Sequence, residues 1–103
     1  MKKQEAKSHK ALAQNCDYVA GILKALAHPQ RLMILCHLSQ EEKTVGELQE
    51  LCGASQSSVS QYLGRMRLEG LIESEKRGQF VYYFILDARV KEMITALHRI
   101  FCR

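Results

Sequence analysis

The spacing of apolar residues along this chain changes twice, near residue 71 and again near residue 87. Up to the first change they recur at three- and four-residue steps. They then alternate, and after Asp87 the helical spacing returns. From about His9 to Ala27, Leu12, Cys16, Val19, Leu23 and Leu26 or Ala27 form one narrow stripe, which predicts an alanine-rich helix suited to close packing against another. His28-Pro29 punctuates, and proline suits the first turn of a second helix running to about Ser39. Leu32, Met33, Ile34, Leu35, Cys36 and Leu38 make that helix apolar nearly all round, as a central core helix would be. Its early cation, Arg31, is expected to meet a carboxylate or a phosphate. Gln40-Glu41-Glu42-Lys43 reads as a charged connector, and residues 1–8 as a loose polar lead.

The stretch from Thr44 to Gly70 organises the rest. Thr44 with Glu47 three positions on is a capping-box pair, and Val45, Leu48 and Leu51 give a short helix one apolar side. Gly53 follows where a chain leaving a helix needs positive φ. Ser55 caps the next helix. There Val59, Tyr62, Leu63 and Met66 share one face, while Ser57, Gln61, Gly64 and Leu68 lie opposite, flanked by Ser60 and Arg65. Short hydroxyls, an amide and a glycine form a weak surface for packing. They suit a helix laid against base edges and phosphates, where glutamine pairs with adenine and serine serves either role. A helix-turn-helix with its recognition helix second has this layout. An ordinary helical hairpin with a solvated serine-rich face would read the same way. The candidate DNA contacts are Ser55, Gln56, Ser57, Ser58, Ser60, Gln61 and Arg65.

Two strands follow, Leu71 to Lys76 and Phe80 to Leu86, with Arg77-Gly78-Gln79 as the hairpin tip. Phe80, Tyr82 and Phe84 face one way, and Val81, Tyr83 and Ile85 the other. Such a hairpin after a recognition helix is a wing, and Lys76 and Arg77 can reach backbone or minor groove. A solvated basic turn is the plainer alternative. Asp87 caps a last helix from about Ala88 to Phe101, whose broad apolar face of Val90, Met93, Ile94, Leu97, Ile100 and Phe101 needs a partner.

Composition narrows the class. The 103 residues fit one domain over 1–103, and 47% hydrophobic content supplies a core. A net charge of +4 suits an acidic partner without requiring one. No apolar run reaches the ~18 residues of a membrane span. The N-terminus lacks the apolar stretch of a signal peptide, so a cytoplasmic location is expected. Four separated cysteines, Cys16, Cys36, Cys52 and Cys102, contain no CxxC and form no disulfide framework in a reducing compartment.

The run Ala25 to Leu35, then Thr44-Val45-Gly46-Glu47-Leu48, then Ser55 to Leu63, then Gly70-Leu71-Ile72, resembles the ArsR/SmtB family over roughly residues 18–102. The resemblance implies a mainly α winged helix-turn-helix with a small β-hairpin, dimerising through its first and last helices. It also implies a repressor that leaves an inverted-repeat operator when an inducer acts. The family's metal sites do not carry over. Leu48-Gln49-Glu50 stands in the region of the Cys-x-Cys pair, Asp87-Ala88-Arg89 replaces Asp-x-His, and Ile100 takes a further ligand position. Arg31 to Leu38, with Leu97 to Cys102, instead resembles the branch of dithiol sensors typified by BigR, SqrR and HlyU. In that branch, one cysteine in the second helix and one at the end of the last are linked by reactive sulfur species or oxidants. The resemblance assigns those positions to Cys36 and Cys102, leaves Cys16 and Cys52 as core or bystander thiols, and implies no resident cofactor.

Two other readings stay open. Cys36, His98 and Cys102, with His37 beside them, could hold a metal or haem, since cysteine and histidine are good zinc ligands. A thiol oxidoreductase would need a CxxC or a thiol of lowered pKa beside a cleft, and the sequence offers neither.

Overall fold

The computed structural model describes the backbone of residues 3–102 and side chains from residue 9 onward. Five helices and three strands follow in the order α1 (Lys3–Leu26), α2 (Pro29–Gln40), β1 (Lys43–Thr44), α3 (Val45–Cys52), α4 (Gln56–Leu68), β2 (Ile72–Arg77), β3 (Phe80–Ile85) and α5 (Ala88–Phe101). The first helix starts at Lys3 rather than near His9, because the lysines, glutamates and alanines of the N-terminal run are good helix formers. Of the segment expected to be loose, residues 1–2 lie outside the described residues.

Pro29 decides where α1 stops. A residue before proline is driven out of the helical region, and His28 is extended at φ −139°, ψ 120°. At the next boundary the capping box closes in both directions. The Glu47 N–H donates to Thr44 Oγ1 at 3.2 Å, and the Thr44 N–H donates to Glu47 Oε1 at 3.0 Å. Gly53 ends α3 at φ 63°, its N–H donating to the Gln49 carbonyl at 3.0 Å. Asp87 caps α5 through the Arg89 N–H at 2.8 Å.

The sheet is antiparallel in the order β1-β3-β2. Its first strand was not foreseen: Lys43, the end of the charged connector, and Thr44, the helix cap, pair with Tyr83 and Tyr82. Arg77 belongs to β2 opposite Phe80, so the tip is the two residues Gly78-Gln79, with Gly78 at φ 62°. The alternation in β3 is as the sequence implied, with Ile85 buried and Tyr83 packed on the core.

The core centres on α2. Ile34, Leu35 and Leu38 pack with Leu48 of α3, with Val59, Leu63 and Met66 of α4, with Ile72 of β2 and with Val90 and Ile94 of α5. Among the described residues, only Leu26 joins them as a buried residue from α1. The rest of its stripe stays exposed, Leu12 at 65% and Leu23 at 51%. Arg31 meets the carboxylate its position suggested. It forms a two-pronged ion pair with Glu69, just past α4, which ties α2 to the end of the recognition helix. No helix among the described residues is long and apolar enough to cross a membrane.

Candidate nucleic-acid interface and thiol pair

Helix α4 is set by its buried face. Val59, Leu63 and Met66 lock it against α2 and α3, so the opposite residues must face outward. Gln56, Ser57, Ser60, Gln61, Gly64 and Arg65 are all exposed, in one band along the helix. Ser55 and Ser58 have a different task. The Ser58 N–H donates to Ser55 Oγ at 3.2 Å, and the two hydroxyls lie 3.0 Å apart, so this pair holds the first turn. Leu68, at 91% exposure, ends the outward band with an apolar tip.

The wing divides its two cations. Lys76 is exposed and makes no ion pair among the described residues. Arg77 is already engaged: it pairs with both oxygens of Glu42, donates to Glu75 at 3.1 Å, and lies 5.0 Å over the Tyr82 ring. Hydrogen bonding from Arg77 holds the Glu42 carboxyl below its usual range. Arg77 therefore braces the wing against β1, and its charge is largely neutralised within the chain. The identity of β1 was the missing signal.

Sequence reasoning also passed over His28 and Lys24. The His28 ring lies beside Tyr62 of α4, centroids 5.0 Å apart, with the phenol oxygen 3.3 Å from Nε2. Both residues border a groove of about 820 Å³ that runs along the recognition helix.

At the far side of α2 stands the thiol pair. Because α2 packs on α5, Cys36 and Cys102, 66 positions apart (102 − 36), come near enough for charge on Cys102 to act on Cys36. Both are free thiols, Cys36 half-buried and Cys102 exposed. Burial pushes the Cys36 thiol up, and negative charge on Cys102 pushes it further. Gln40 Nε2 lies 3.3 Å from His98 Nε2, a second tie between the helices. His37 is lowered by burial, then by Lys43 and His98. Among the described residues no three His, Cys, Asp or Glu side chains gather as a metal set, and this holds for Cys36, His98 and Cys102. Cys52 is half-buried against the core with its thiol raised by burial, and Cys16 is exposed on α1.

Comparison with known proteins places this geometry. Residues 28–74 match the family described as bacterial regulatory protein, arsR family. The HTH-type transcriptional regulator YgaV of Escherichia coli is 42% identical over 92 residues, covering 88% of this chain and 93% of the relative. The chain belongs to the ArsR family. Among solved structures, reduced HlyU from Vibrio cholerae superposes with a TM-score of 0.83 at 39% identity, covering 91% of this chain and 99% of the other. The transcriptional repressor BigR from Xylella fastidiosa gives 0.81 at 35%, covering 91% and 93%. A domain of Mb0332 from Mycobacterium bovis, described as a homodimeric winged helix-turn-helix, gives 0.71 at 31%, covering 85% and 82%. This ArsR-family chain is a winged helix-turn-helix transcriptional regulator.

Proposed function

We propose that the protein is a homodimeric repressor that binds an inverted-repeat operator in the cytoplasm and releases it when Cys36 and Cys102 become linked. The observation that supports the reading is that the packing of α2 on α5 brings these two free thiols near enough for charge on one to act on the other. The dimer reading is supported by the uncovered apolar residues of α1 and of the end of α5, where Ile100 and Phe101 are exposed. It is also supported by the homodimeric relative. In each protomer Ser57 and Gln61 read base edges, Gln56, Ser60 and Arg65 support them, and Lys76 holds backbone beyond the wing.

The chemistry balances with a persulfide as oxidant. The more exposed Cys102 thiolate takes the terminal sulfur of RSSH and expels RS⁻. The Cys36 thiolate then attacks the Cys102 sulfur and expels HS⁻, leaving a disulfide. Overall, RSSH and two thiols give one protein disulfide, RSH and H₂S. A further sulfur transfer before closure would give a longer bridge.

A gel-shift titration of the four single Cys→Ser variants, with and without a persulfide donor, tests the reading. Cys36→Ser and Cys102→Ser should bind and stop responding, while Cys16→Ser and Cys52→Ser respond as wild type. Full release by Cys102→Ser overturns the dithiol mechanism. Intact mass spectrometry after a persulfide, a peroxide or glutathione disulfide identifies the bridge.

A further inference from the structure

We propose that the groove between the α1–α2 junction and the recognition helix seats a DNA backbone phosphate, held by Lys24 and His28 together with Arg65. Three elements contribute: Lys24 from the last turn of α1, His28 from the extended link before Pro29, and Arg65 from α4. Among the described residues no aspartate or glutamate lines this groove, Asp17 and Glu69 lining the adjoining pocket that shares Lys24 and Arg31. Its fourth basic residue, Arg31, sits at the floor, its charge engaged by Glu69 and its Nε buried without a partner. The cations left facing solvent are therefore Lys24 and Arg65, neither of which is ion-paired among the described residues.

Position assigns the ligand. Ser60, Gln61 and Gly64 border the same groove, so a duplex that reaches Gln61 must run its backbone along this wall. A Cβ placed at Gly64 would meet nothing within 4 Å, which leaves the space above the helix open to that backbone. His28 is turned toward the groove by its contact with Tyr62, a residue of the recognition helix itself. The start of α2 adds to the field: its first turn has no acidic residue and no side-chain cap. A phosphodiester fits this set better than a base edge, because Lys24 and Arg65 are cations and Lys24 and His28 lie beside the reading face rather than on it.

The site rests on the reading that α4 enters the major groove and is independent of the thiol switch. The test uses the full chain and two labelled duplexes, one selected by the protein from a random-sequence pool and one unrelated. Anisotropy is followed across a salt series. Lys24→Gln should weaken both duplexes by the same factor, about fivefold near 0.15 M salt, and lower the salt slope by about one. Lys24→Arg should restore both, and His28→Gln should weaken both duplexes equally. A wild-type slope for Lys24→Gln, or a loss confined to the selected duplex, overturns the proposal. Gln61→Ala serves as the control: if it weakens both duplexes alike, the α4 reading has failed rather than the groove.

Discussion

At position 61 an amide stands on an exposed helix face with no side-chain partner among the described residues, one turn from an exposed serine and a glycine. A glutamine there has both a donor and an acceptor for one adenine edge. Gln61→Ala should therefore cost about 1–3 kcal/mol on the correct operator and relax specificity at one base pair. Binding measured on operators changed one position at a time decides it, and equal losses on all sequences would contradict the assignment. The thiols give a second prediction at this scale. Burial, and then charge on Cys102, keep Cys36 protonated to higher pH than an ordinary cysteine. Only the thiolate attacks, so the thiolate fraction of Cys36 is still rising where an ordinary cysteine is fully ionised. Bridge closure, followed by quenched intact mass measurement, should keep accelerating through that range. A rate that levels off in the ordinary thiol range would assign the resolving step to another group.

Among the elements, the wing shows how local and distant information divide. Lys76→Ala should weaken binding to every sequence and lower the salt slope by about one, because its charge is uncommitted. Arg77→Ala should change the slope far less, since Glu42 and Glu75 already hold that guanidinium, and should instead loosen β1 from the wing. Amide exchange at Lys43 and Thr44 measures that loosening. The helix boundaries from His28 onward were legible because their causes are local: Pro29 acts on His28, Thr44 on Glu47, Ser55 on Ser58 and Asp87 on Arg89, whereas the start of α1 at Lys3 was not. The strand β1 was not legible, because two residues in a charged run carry no period and pair with β3 only after the chain has folded. The pairing of Arg77 was not legible for the same reason, its main partner lying 35 positions away. The recognition face of α4 could be read because periodicity fixes which residues oppose the core. Lys24 and His28 beside it could not, since an interrupted helix does not reveal where its broken end docks. Arg31 was half legible: the need for a partner was clear and the partner, Glu69, was not. Glu69→Gln leaves the Arg31 guanidinium largely buried without its counter-charge, and should cost about 1–3 kcal/mol in chemical denaturation.

For the whole molecule the decisive fact is that α1 contributes almost nothing to the core it shields. The buried cluster is complete in α2 to α5 with the sheet, apart from Leu26, while Leu12, Val19 and Leu23 remain uncovered on a helix of 24 residues. The exposed apolar stripe of α1, together with the exposed Ile100 and Phe101 at the end of α5, is the surface a second copy would bury. A Leu12→Glu, Leu23→Glu double variant should then sediment as a monomer and still unfold in one cooperative transition, since both positions lie outside the core. Its affinity for an inverted repeat should fall about a hundredfold or more, because the second half-site is no longer reached at high effective concentration. Affinity for a single half-site should stay unchanged, and a double variant that remains dimeric would move the interface elsewhere. This arrangement also explains how a small bond can act at a distance. Cys102 directly follows the exposed apolar end of α5, and Cys36 sits on the helix that Arg31 and Glu69 tie to α4. Linking the sulfurs thus fixes the proposed dimer surface to the element that aims the recognition helix. The bridged form need disfavour the DNA-binding spacing by only about 1–3 kcal/mol to release the operator. By reciprocity, operator DNA should disfavour the bridged form at equilibrium by the matching factor, so the midpoint of a thiol–disulfide titration should shift toward stronger oxidant when DNA is added. A midpoint that ignores DNA would separate the thiol chemistry from DNA binding altogether.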